Sequence, residues 1–329
     1  MTHTILGIDV GATTISGGLV TDQGDVLEVI QAATHRDGPG TAVETLLEVV
    51  GRLWSLARAR GLALAGVGVG VPGAVDPEKG VMARPPYHPV PELADLRLAE
   101  RIHAQTGLPA FVDNDANALA LGEWTFGLAR GATSLVLLAI GTGVGGGIIE
   151  DGVIVRGHGG FAGELGHVPI NFDGPPCFCG GRGCLGMYVG GHQMACEAQA
   201  RVQRQPDSAL LALAGGDPGA ITSKMVFEAA AGGDSLAHAM IEEACESLGA
   251  SLAGIVSGLN PEVVIITGGV AASLVALEDE ILRRARRYAF PPALADTRIH
   301  IVAGDKRRTM RGAAVLVLYE LERQARWRA

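Results

Sequence analysis

Three glycine-rich turns, each placed directly after a short apolar run, constrain the fold of this chain more than any other feature. The apolar runs and their turns are Ile5–Val10 with Gly11–Thr14, Ser134–Ile140 with Gly141–Gly147, and Glu262–Thr267 with Thr267–Val270. Short apolar runs that stop at glycine predict buried strands. Because glycine has no side chain, its backbone can approach a polyphosphate closely. The pattern therefore predicts an α/β fold whose strand ends face a phosphate-bearing ligand. A strand rather than a helix follows Gly141–Gly147, which argues against the dinucleotide-binding fingerprint.

The length of 329 residues, of which 48% are hydrophobic, is sufficient for two domains with separate cores. The order of predicted strands and helices after Asp113 repeats the order before it, so we expect two related halves with a cleft between them. The predicted smaller domain takes in residues 1–112 together with 312–329, which belong to a returning C-terminal helix. The predicted larger domain takes in residues 113–311 and carries an insertion at residues 157–186 that is rich in glycine, proline and cysteine.

Charge and hydropathy argue against two classes of protein. The chain carries 26 Lys and Arg against 35 Asp and Glu, a net charge of −9, and most of its basic residues are scattered. We therefore expect no nucleic-acid partner and no anionic membrane surface as a partner. The apolar runs are far shorter than the ~20 residues of a membrane-spanning helix. The N-terminal residues Met1–Gly7 lack the features of a secretion signal, so we expect a cytoplasmic protein.

Carboxylates stand at two of the predicted strand ends. Asp9 lies within the run Gly7–Thr14, where N–H groups of the turn can bind phosphate oxygens while Asp9 holds the hydration shell of a magnesium ion. The run Val112–Ala118 places two Asp and two Asn residues where a strand gives way to a helix. A carboxylate at that point can accept the proton of an attacking hydroxyl group. The alternative interpretation is structural, because hairpin turns favour Asp and Gly, and Asp and Asn cap helices.

One histidine and three cysteines lie close together in the predicted insertion. They are His167, at the end of the run Gly163–His167, and Cys177, Cys179 and Cys184. One imidazole and three thiolates make a closed tetrahedral ligand set, which favours structural zinc over a catalytic metal with an open coordination position. The two remaining cysteines, Cys196 and Cys245, fall in helical patterns and are expected to be buried thiols.

Five motifs of the chain together resemble the signatures of the ROK family (repressor, open reading frame, kinase), within the superfamily of actin, hexokinase and Hsp70. The motifs are Gly7–Thr14, Val112–Asn117, Gly141–Gly147, Gly163–His167 and Cys177–Cys184. The resemblance extends from Ile5 to about Tyr319. It implies an α/β fold of two ribonuclease-H-like domains of the actin ATPase type, with ATP bound in an interdomain cleft. It also implies an ATP-dependent sugar kinase that uses Mg²⁺, contains structural Zn²⁺, and forms a homodimer or homotetramer.

The resemblance also implies roles for individual residues. Asp115 would be the catalytic base. The sugar would be bound by Gly73, Asn114, Asp115, Glu164 and His167. The zinc ion would be bound by His167, Cys177, Cys179 and Cys184. ATP and its magnesium ion would be bound by Asp9, Gly11, Thr13, Thr14, Gly141, Thr142, Gly143, Gly268 and Gly269.

Two departures from the family pattern bear on the substrate. Gly186 stands where family hexokinases usually carry a glutamate that contacts the sugar. The run Arg84–Tyr87 replaces part of a loop that usually carries a sugar-binding asparagine. The cluster of Arg84, Tyr87 and His88 is interpreted either as a substitute recognition surface or as a solvated loop. Because a lost hydrogen bond to a sugar hydroxyl shifts specificity strongly, the identity of the acceptor stays open.

Three functional predictions follow from the resemblance and the departures. The leading one is phosphorylation of the primary hydroxyl of a hexose, with glucose converted to glucose 6-phosphate. A second keeps the chemistry and changes the acceptor to N-acetylmannosamine, fructose, allose, an aminosugar or a cyclitol. A third, from another class, is a sugar-sensing regulator without the DNA-binding extension of some family members. The first predicted strand begins at about residue 4, so we expect no winged helix before it.

Overall fold

The computed structural model describes residues 3–76, 78–82 and 90–328, and these form two compact units. The first unit contains the described residues up to Thr133, the segment Gly147–Gly163, and the residues from Asp305 onward. The second unit contains Ser134–Gly146 and Glu164–Gly304. The domain boundaries predicted after residues 112 and 311 stay a prediction.

Groups of consecutive strands and groups of consecutive helices follow one another along the described chain. The strands are β1 (Thr4–Val10), β2 (Thr14–Thr21), β3 (Val26–Ala33), β4 (Leu64–Val71), β5 (Val75–Asp76), β6 (Val81–Met82), β7 (Ala110–Asn114), β8 (Ser134–Ile140), β9 (Val144–Glu150), β10 (Val153–Ile154), β11 (Val263–Thr267) and β12 (Arg298–Ile301). The α-helices are α1 (Ala42–Ala59), α2 (Leu98–Thr106), α3 (Asp115–Phe126), α4 (Gly186–Val189), α5 (Gly191–Val202), α6 (Ala209–Leu213), α7 (Ser223–Ala231), α8 (Ser235–Leu259), α9 (Ala271–Leu274), α10 (Glu278–Ala285), α11 (Pro291–Asp296) and α12 (Lys306–Arg328). Short 3₁₀ helices cover Pro91–Leu93, Leu165–His167, Pro218–Ala220 and Val275–Leu277. Within the described residues, none of these helices combines the length and the apolar composition that crossing a lipid bilayer requires.

The first unit is built on a five-stranded sheet with the order β3-β2-β1-β4-β7. The β1–β2 and β2–β3 pairs are antiparallel, whereas the β1–β4 and β4–β7 pairs are parallel. Because parallel strands end at the same edge of a sheet, the carboxyl ends of β1 and β7 lie at one edge. Asp9 and Asn114 are therefore placed at the same edge of this sheet.

Helices cover both faces of the first sheet, which explains why its central strands are buried throughout rather than alternating between apolar and polar residues. On one face, Leu6 and Ile8 of β1 pack in a core that includes Leu53 of α1. On the other face, Ile5 of β1 packs with Val317 of α12. The alternation of apolar and polar residues that marks a half-exposed strand is therefore absent from these strands, although successive side chains still point to opposite faces.

Two glycines allow α12 to lie directly on the first sheet. A Cβ atom at Gly68 of β4 would lie 1.8 Å from the carbonyl oxygen of Ala313, and one at Gly7 of β1 would lie 2.1 Å from that of Met310. Any side chain at either position would therefore push α12 away from the strands.

The second sheet has the order β10-β9-β8-β11-β12. The β8–β11 and β11–β12 pairs are parallel, and the β9–β10 pair is antiparallel. When only the strands that belong to each sheet are numbered, in chain order, both sheets have the same order: third, second, first, fourth and fifth strand. The prediction of an α/β fold with two related halves is confirmed.

Candidate active site and metal centre

The junction between β7 and α3 carries the predicted base. Asn114 caps α3, because its side-chain oxygen accepts hydrogen bonds from the N–H groups of Ala116 at 2.8 Å and Asn117 at 3.2 Å. Asp115 is the first residue of the helix and is half-buried. Its carboxylate accepts a hydrogen bond from the N–H group of Ala116 at 2.8 Å. A helix N-terminus stabilises a negative side chain, so the fold supports a carboxylate at this position.

The neighbouring carboxylate, Asp113, serves the structure of the junction. It is 1% exposed, and its Oδ2 atom accepts two hydrogen bonds from the guanidinium of Arg156, at 2.6 and 2.9 Å. Its Oδ1 atom accepts from the Asn114 N–H group at 2.7 Å and from the Asn117 side chain at 3.1 Å. Because Asp113 is fully buried and paired with Arg156, whereas Asp115 is only half-buried, Asp115 is the better candidate for chemistry at this junction.

Asn114 also ties the junction to the loop that follows β4. Its side-chain nitrogen donates a hydrogen bond to the carbonyl oxygen of Gly73 at 3.0 Å. Gly73 has φ of 90°, a backbone conformation that favours glycine. In β4, a Cβ atom at Gly70 would lie 3.2 Å from the Cα atom of Asp115. The fold therefore brings together three of the predicted sugar-binding residues, Gly73, Asn114 and Asp115.

Asp9, near the end of β1, is buried and has two partners from the start of α12. The hydroxyl of Thr309 donates a hydrogen bond to its Oδ2 atom at 2.9 Å, and the Lys306 ammonium lies 3.5 Å from the same atom. The Lys306 side chain is 54% exposed, whereas that of Asp9 is 10% exposed. A carboxylate held at the end of a strand is a suitable oxygen ligand for a hydrated magnesium ion.

The turn between β1 and β2 is closed by a hydrogen bond from the Gly11 N–H group to the carbonyl oxygen of Thr14 at 3.0 Å. Thr34 fixes the turn from the other side. Its hydroxyl donates to the carbonyl oxygen of Gly11 at 2.7 Å, and its N–H group donates to that of Thr13 at 3.0 Å. The carbonyl groups are thus occupied and the Thr13 side chain is exposed, which leaves the turn able to present donors to an anion.

In the second unit, the start of α5 holds the turn between β8 and β9. The N–H groups of Gly191 and His192 donate to the carbonyl oxygens of Gly141 at 2.8 Å and Thr142 at 2.9 Å. A Cβ atom at Gly141 or Gly143 would meet no other atom within 4 Å. The backbone of this turn therefore borders open space that a ligand can enter.

A second glycine turn of the same unit lies beside the first, because β8 and β11 are parallel neighbours. Gly268 has φ of 116°, and a Cβ atom there would lie 2.3 Å from the carbonyl oxygen of Ile140. The same oxygen accepts a hydrogen bond from the Val270 N–H group at 3.0 Å. Gly269 is exposed, with open space where its Cβ would lie. Two of the predicted nucleotide-binding turns are thus adjacent.

The four predicted metal ligands form one cluster in the second unit. The ligand atoms of His167, Cys177, Cys179 and Cys184 all lie within 4.8 Å of one another. The sulfur of Cys177 lies 3.5 Å from Nδ1 of His167, and the sulfurs of Cys179 and Cys184 lie 3.8 Å apart. Tetrahedral zinc with bonds of about 2.3 Å to sulfur and 2.0–2.1 Å to nitrogen sets these separations at about 3.6 and about 3.8 Å. The donor set and its spacing therefore fit a zinc ion.

Glycines shape the loop that presents the three sulfurs. Gly183 has φ of 64°, and a Cβ atom there would lie 1.7 Å from the carbonyl oxygen of Asn171. The N–H group of Gly183 donates to the carbonyl oxygen of Pro175 at 2.8 Å. The N–H group of Gly181 points at the sulfur of Cys179 at 3.4 Å. These contacts fold the loop back on itself and direct its sulfurs to one point.

Burial acts to raise the pKa of each of the three thiols in the cluster. It raises the pKa of Cys177, and burial together with the neighbouring thiols raises the pKa of Cys184 to about 12. Burial also acts to raise the pKa of Cys179, but the Gly181 N–H group and nearby side chains outweigh it and lower that pKa. A metal ion that binds here displaces the remaining protons, since thiolates are the ligand form.

The segment between Glu164 and His167 is held against β9. A Cβ atom at Gly166 would lie 2.2 Å from the carbonyl oxygen of Val144, so the short helix Leu165–His167 lies directly on the strand. Glu164 is half-buried at the start of this helix, and its carbonyl oxygen accepts the N–H group of His167 at 2.9 Å. Gly186 faces the same segment, with its Cβ position 3.2 Å from the carbonyl oxygen of Gly166.

Each predicted site residue lies in the described part of the chain. The first unit holds Asp9, Gly11, Thr13, Thr14, Gly73, Asn114 and Asp115, and the second holds Gly141, Thr142, Gly143, Glu164, His167, Cys177, Cys179, Cys184, Gly268 and Gly269. The run Arg84–Tyr87 and His88 lie outside the described residues. Among the other cysteines, Cys245 is buried as expected, but Cys196 is exposed, so the prediction of a buried thiol there is wrong. Cys196 lies on an outward position of α5, four residues beyond the exposed His192.

Sequence reasoning missed four residues that support these sites. They are Arg156, Lys306, Thr309 and Glu320. None belongs to a motif, and each meets its partner from a distant part of the chain, so no local pattern could have found them.

Comparison with known proteins gives consistent matches over nearly the whole chain. The model of the ROK family matches residues 5–320. A glucokinase of Halalkalibacterium halodurans is 34% identical over 289 residues, which cover 87% of this chain and 86% of that protein. The solved structure of a ROK family glucokinase from Streptomyces griseus, in complex with glucose and AMPPNP, has a TM-score of 0.77 and 32% identity, covering 95% of this chain and 98% of that one. A ROK family transcriptional regulator, homologous to the E. coli MLC protein, has a TM-score of 0.81 and 29% identity, covering 96% of this chain and 78% of that one.

Proposed function

The chain belongs to the ROK family, and we propose that it is an ATP-dependent sugar kinase that phosphorylates the primary hydroxyl of glucose to give glucose 6-phosphate. The observation that carries the proposal is the junction of β7 and α3, where Asp115 stands at a helix N-terminus while Asp113 is engaged by Arg156. The similarity to glucokinases over most of the chain supports the same activity.

Asp115 acts as the base in this proposal. Its carboxylate accepts the proton of the acceptor hydroxyl as the hydroxyl oxygen attacks the γ-phosphorus of ATP. The bond from the γ-phosphorus to its bridging oxygen breaks, and ADP leaves with that electron pair. In phosphoryl transfer such a residue chiefly orients the nucleophile, which is consistent with a carboxylate fixed at the first position of a helix. Asn114 and Gly73, joined by their hydrogen bond, hold the sugar beside it.

The glycine turns hold the nucleotide. Backbone donors of Gly11, Thr13 and Thr14 and of Gly141, Thr142 and Gly143 bind the phosphates, and Gly268 and Gly269 border the base and ribose. A magnesium ion that arrives with ATP would neutralise charge on the transferred phosphoryl group. Asp9 would hold the hydration shell of that ion, with its orientation set by the hydroxyl of Thr309.

The metal centre organises the sugar-binding side of the second unit. His167 points Nδ1 at the sulfur of Cys177, so Nδ1 is the nitrogen that would bind zinc and Nε2 is left to contact a sugar hydroxyl. Glu164 stands three residues before His167 and shares a hydrogen bond with it. A zinc ion would lock the loop and hold the four ligands in one arrangement. In this proposal zinc is structural, and His167 and Glu164 contact the sugar.

Gly186 bears on which compound serves as the phosphoryl acceptor. Its Cβ position is only 3.2 Å from the carbonyl oxygen of Gly166, so the position lies against the segment that carries Glu164 and His167. Without a side-chain acceptor there, N-acetylmannosamine, fructose, allose, an aminosugar or a cyclitol is the alternative acceptor. A Gly186→Glu variant that gains activity on glucose relative to these compounds would identify the position as a specificity determinant.

A sugar-sensing regulator is the alternative of another class, and the similarity to the MLC-like regulator supports it. A sugar kinase and a sugar-sensing regulator of this fold differ in whether they turn over ATP and the sugar. We propose the kinase because Asp115 is present, and we expect no binding to nucleic acid, a cytoplasmic location, and assembly as a homodimer or homotetramer.

The test is an ADP-release assay with ATP, magnesium and a panel of hexoses, aminosugars and cyclitols. Turnover of glucose above every other acceptor supports the glucokinase proposal. Turnover confined to another compound supports the alternative acceptor. No turnover with any acceptor, together with sugar-dependent retention of DNA in a gel-shift assay, would replace the kinase with the regulator.

A further inference from the structure

A buried ion-pair chain lies behind the junction that carries Asp115. The guanidinium of Arg156, just after β10, binds Asp113 of β7 through Nε at 2.9 Å and Nη2 at 2.6 Å. The same Nη2 atom binds the carboxylate of Glu320 on α12 at 2.7 Å. One cation therefore connects three elements of the first unit that are far apart in sequence.

All three side chains of this ion-pair chain are largely buried. The side chains of Arg156, Asp113 and Glu320 are 14%, 2% and 3% exposed. A buried carboxylate without a counter-charge is strongly disfavoured, so Asp113 depends on the guanidinium of Arg156, whereas Glu320 is also paired with Arg323 at 2.7 Å. The ring of Tyr319 also lies under Arg156, with 5.6 Å between the guanidinium carbon and the ring centre. The guanidinium is thus held from three sides.

The far end of the ion-pair chain reaches the backbone of the proposed catalytic residues. Arg156 occupies Oδ2 of Asp113, and Oδ1 of the same carboxylate accepts the N–H group of Asn114 at 2.7 Å. Oδ1 also accepts the side chain of Asn117 at 3.1 Å, one turn into α3. The orientation of Asp113 therefore sets where the chain leaves β7 and where the first turn of α3 begins.

The segment that follows Arg156 is fixed by the same residue. The carbonyl oxygen of Arg156 accepts the N–H group of Ala162 at 3.0 Å, which closes a compact loop. Within this loop, the Cβ position of Gly160 lies 2.9 Å from the carbonyl oxygen of Val75, in the region that follows Gly73. The loop ends at Ala162, two residues before Glu164.

We infer that Arg156 is a positioning residue of the phosphoryl transfer, which acts through Asp113 to set the direction of Asn114 and Asp115. Glu320 anchors Arg156 to α12 and so supports the same arrangement. The inference rests on the proposed kinase function. It adds a residue that does not touch the substrate but determines how the base faces it.

The first unit offers a matched control for this role. Arg308 of α12 forms a second ion pair with Glu123 of α3, at 2.7 Å, and the Glu123 side chain is likewise 3% exposed. That pair also joins α12 to another element of the unit, but its two residues lie outside the junction at residues 113–115. Removing either cation leaves a buried carboxylate unpaired, so loss of stability is common to both variants.

The experiment compares Arg156→Gln, Arg156→Lys and Arg308→Gln with the wild-type protein. The temperature is chosen so that circular dichroism shows all four proteins to be folded. We expect Arg156→Gln to lower kcat on the best acceptor about 10-fold to 100-fold, because a misplacement of about 1 Å can cost that much. The KM for ATP should stay within about twofold, since the nucleotide turns are untouched. Arg156→Lys should recover part of kcat, because lysine keeps the charge but cannot bind both acids in fork geometry.

Arg308→Gln should keep wild-type kcat despite lower thermal stability. The inference is overturned if Arg156→Gln keeps wild-type kcat, or if both glutamine variants lose kcat in proportion to stability. If Arg156→Gln does not fold, Arg156→Lys and Glu320→Gln decide the matter by the same criterion, with unchanged kcat in both counting against the inference. A wild-type protein that phosphorylates no acceptor would instead remove the proposed function itself, so the two failures are distinct.

Discussion

The hydroxyl of Thr309 donates a hydrogen bond to the carboxylate of Asp9 at 2.9 Å, although the two residues are 300 positions apart in the chain. Thr309 lies in the first turn of α12 and Asp9 near the end of β1, so this contact closes the first unit at the point where the proposed magnesium ligand stands. Lys306 approaches the same carboxylate oxygen at 3.5 Å. The orientation of Asp9 is therefore set by a helix from the other end of the chain.

A Thr309→Val variant should raise the KM for magnesium ATP about tenfold, because a hydrogen bond to a charged group contributes about 1.5–3 kcal/mol. The KM for the sugar should not change. Thr309→Ser restores the hydroxyl and serves as the control in steady-state kinetics. An equal loss of sugar affinity in Thr309→Val would show that Asp9 acts on the acceptor rather than on the donor.

An Asp115→Asn variant should lower kcat by about 10²-fold to 10⁴-fold, the usual range for a general base, and leave the Kd for ATP unchanged. Asp113→Asn should behave differently. It leaves Arg156 without one of its carboxylates, and breaking a buried pair typically costs about 3–5 kcal/mol of stability. Thermal unfolding and single-turnover kinetics on both variants separate the two roles. Wild-type turnover in Asp115→Asn would reassign the base.

Removal of metal from the proposed zinc site should loosen the loop at residues 171–186 and raise the KM for the sugar. We expect elemental analysis to find one zinc ion per chain, and prolonged chelation to lower the melting temperature. Cys184→Ala should reproduce the effect of chelation, whereas Cys196→Ala, which removes an exposed thiol outside the cluster, should leave zinc content and melting temperature unchanged. A protein that loses its zinc completely and keeps both its KM and its melting temperature would contradict the structural role.

Substitution of Gly183 by alanine should disrupt the metal loop, because the new Cβ atom would lie 1.7 Å from the carbonyl oxygen of Asn171. Gly180 provides a matched control. It also has a positive φ, 92°, but a Cβ atom there would meet nothing within 4 Å. Gly180→Ala should therefore lower the free energy of unfolding by only about 1 kcal/mol, the cost of a non-glycine residue in this backbone conformation. Gly183→Ala should in addition lower the zinc content of the purified protein. Equal zinc content in the two variants would show that the loop can shift to accept the clash.

The strands and helices could be predicted from the sequence because their signals are local. The run Ile5–Val10 is a strand from Thr4 to Val10, and the run Val112–Ala118, where a strand is predicted to give way to a helix, contains the end of β7 and the start of α3. The cluster of predicted metal ligands could be predicted equally well, since the four residues lie within one short segment and have an unusual spacing. Within the run Val112–Ala118 the strand continues to Asn114, because polar residues can remain in a strand when the neighbouring strand supplies the pairing.

The supporting contacts could not be predicted, because each depends on how distant elements pack. Nothing in the sequence around Arg156 shows that its guanidinium meets both Asp113 and Glu320. Nothing around Cys196 distinguishes a buried position of a helix from an exposed one when the neighbouring residues include alanine on several faces. The acceptor specificity depends on Gly186 and on a run, Arg84–Tyr87, that lies outside the described residues.

The common strand order of the two sheets carries information about ancestry. Two sheets of one order within a single chain are what duplication and fusion of one gene segment produce. The turns that follow β1 and β8 would then descend from one ancestral turn, yet β1 carries Asp9 whereas β8, Ser134–Ile140, contains no carboxylate. After such a fusion each copy would be free to change alone. The first would then have acquired or kept the acids proposed for phosphoryl transfer, and the second would have accepted a cysteine-rich insertion between its third and fourth strands.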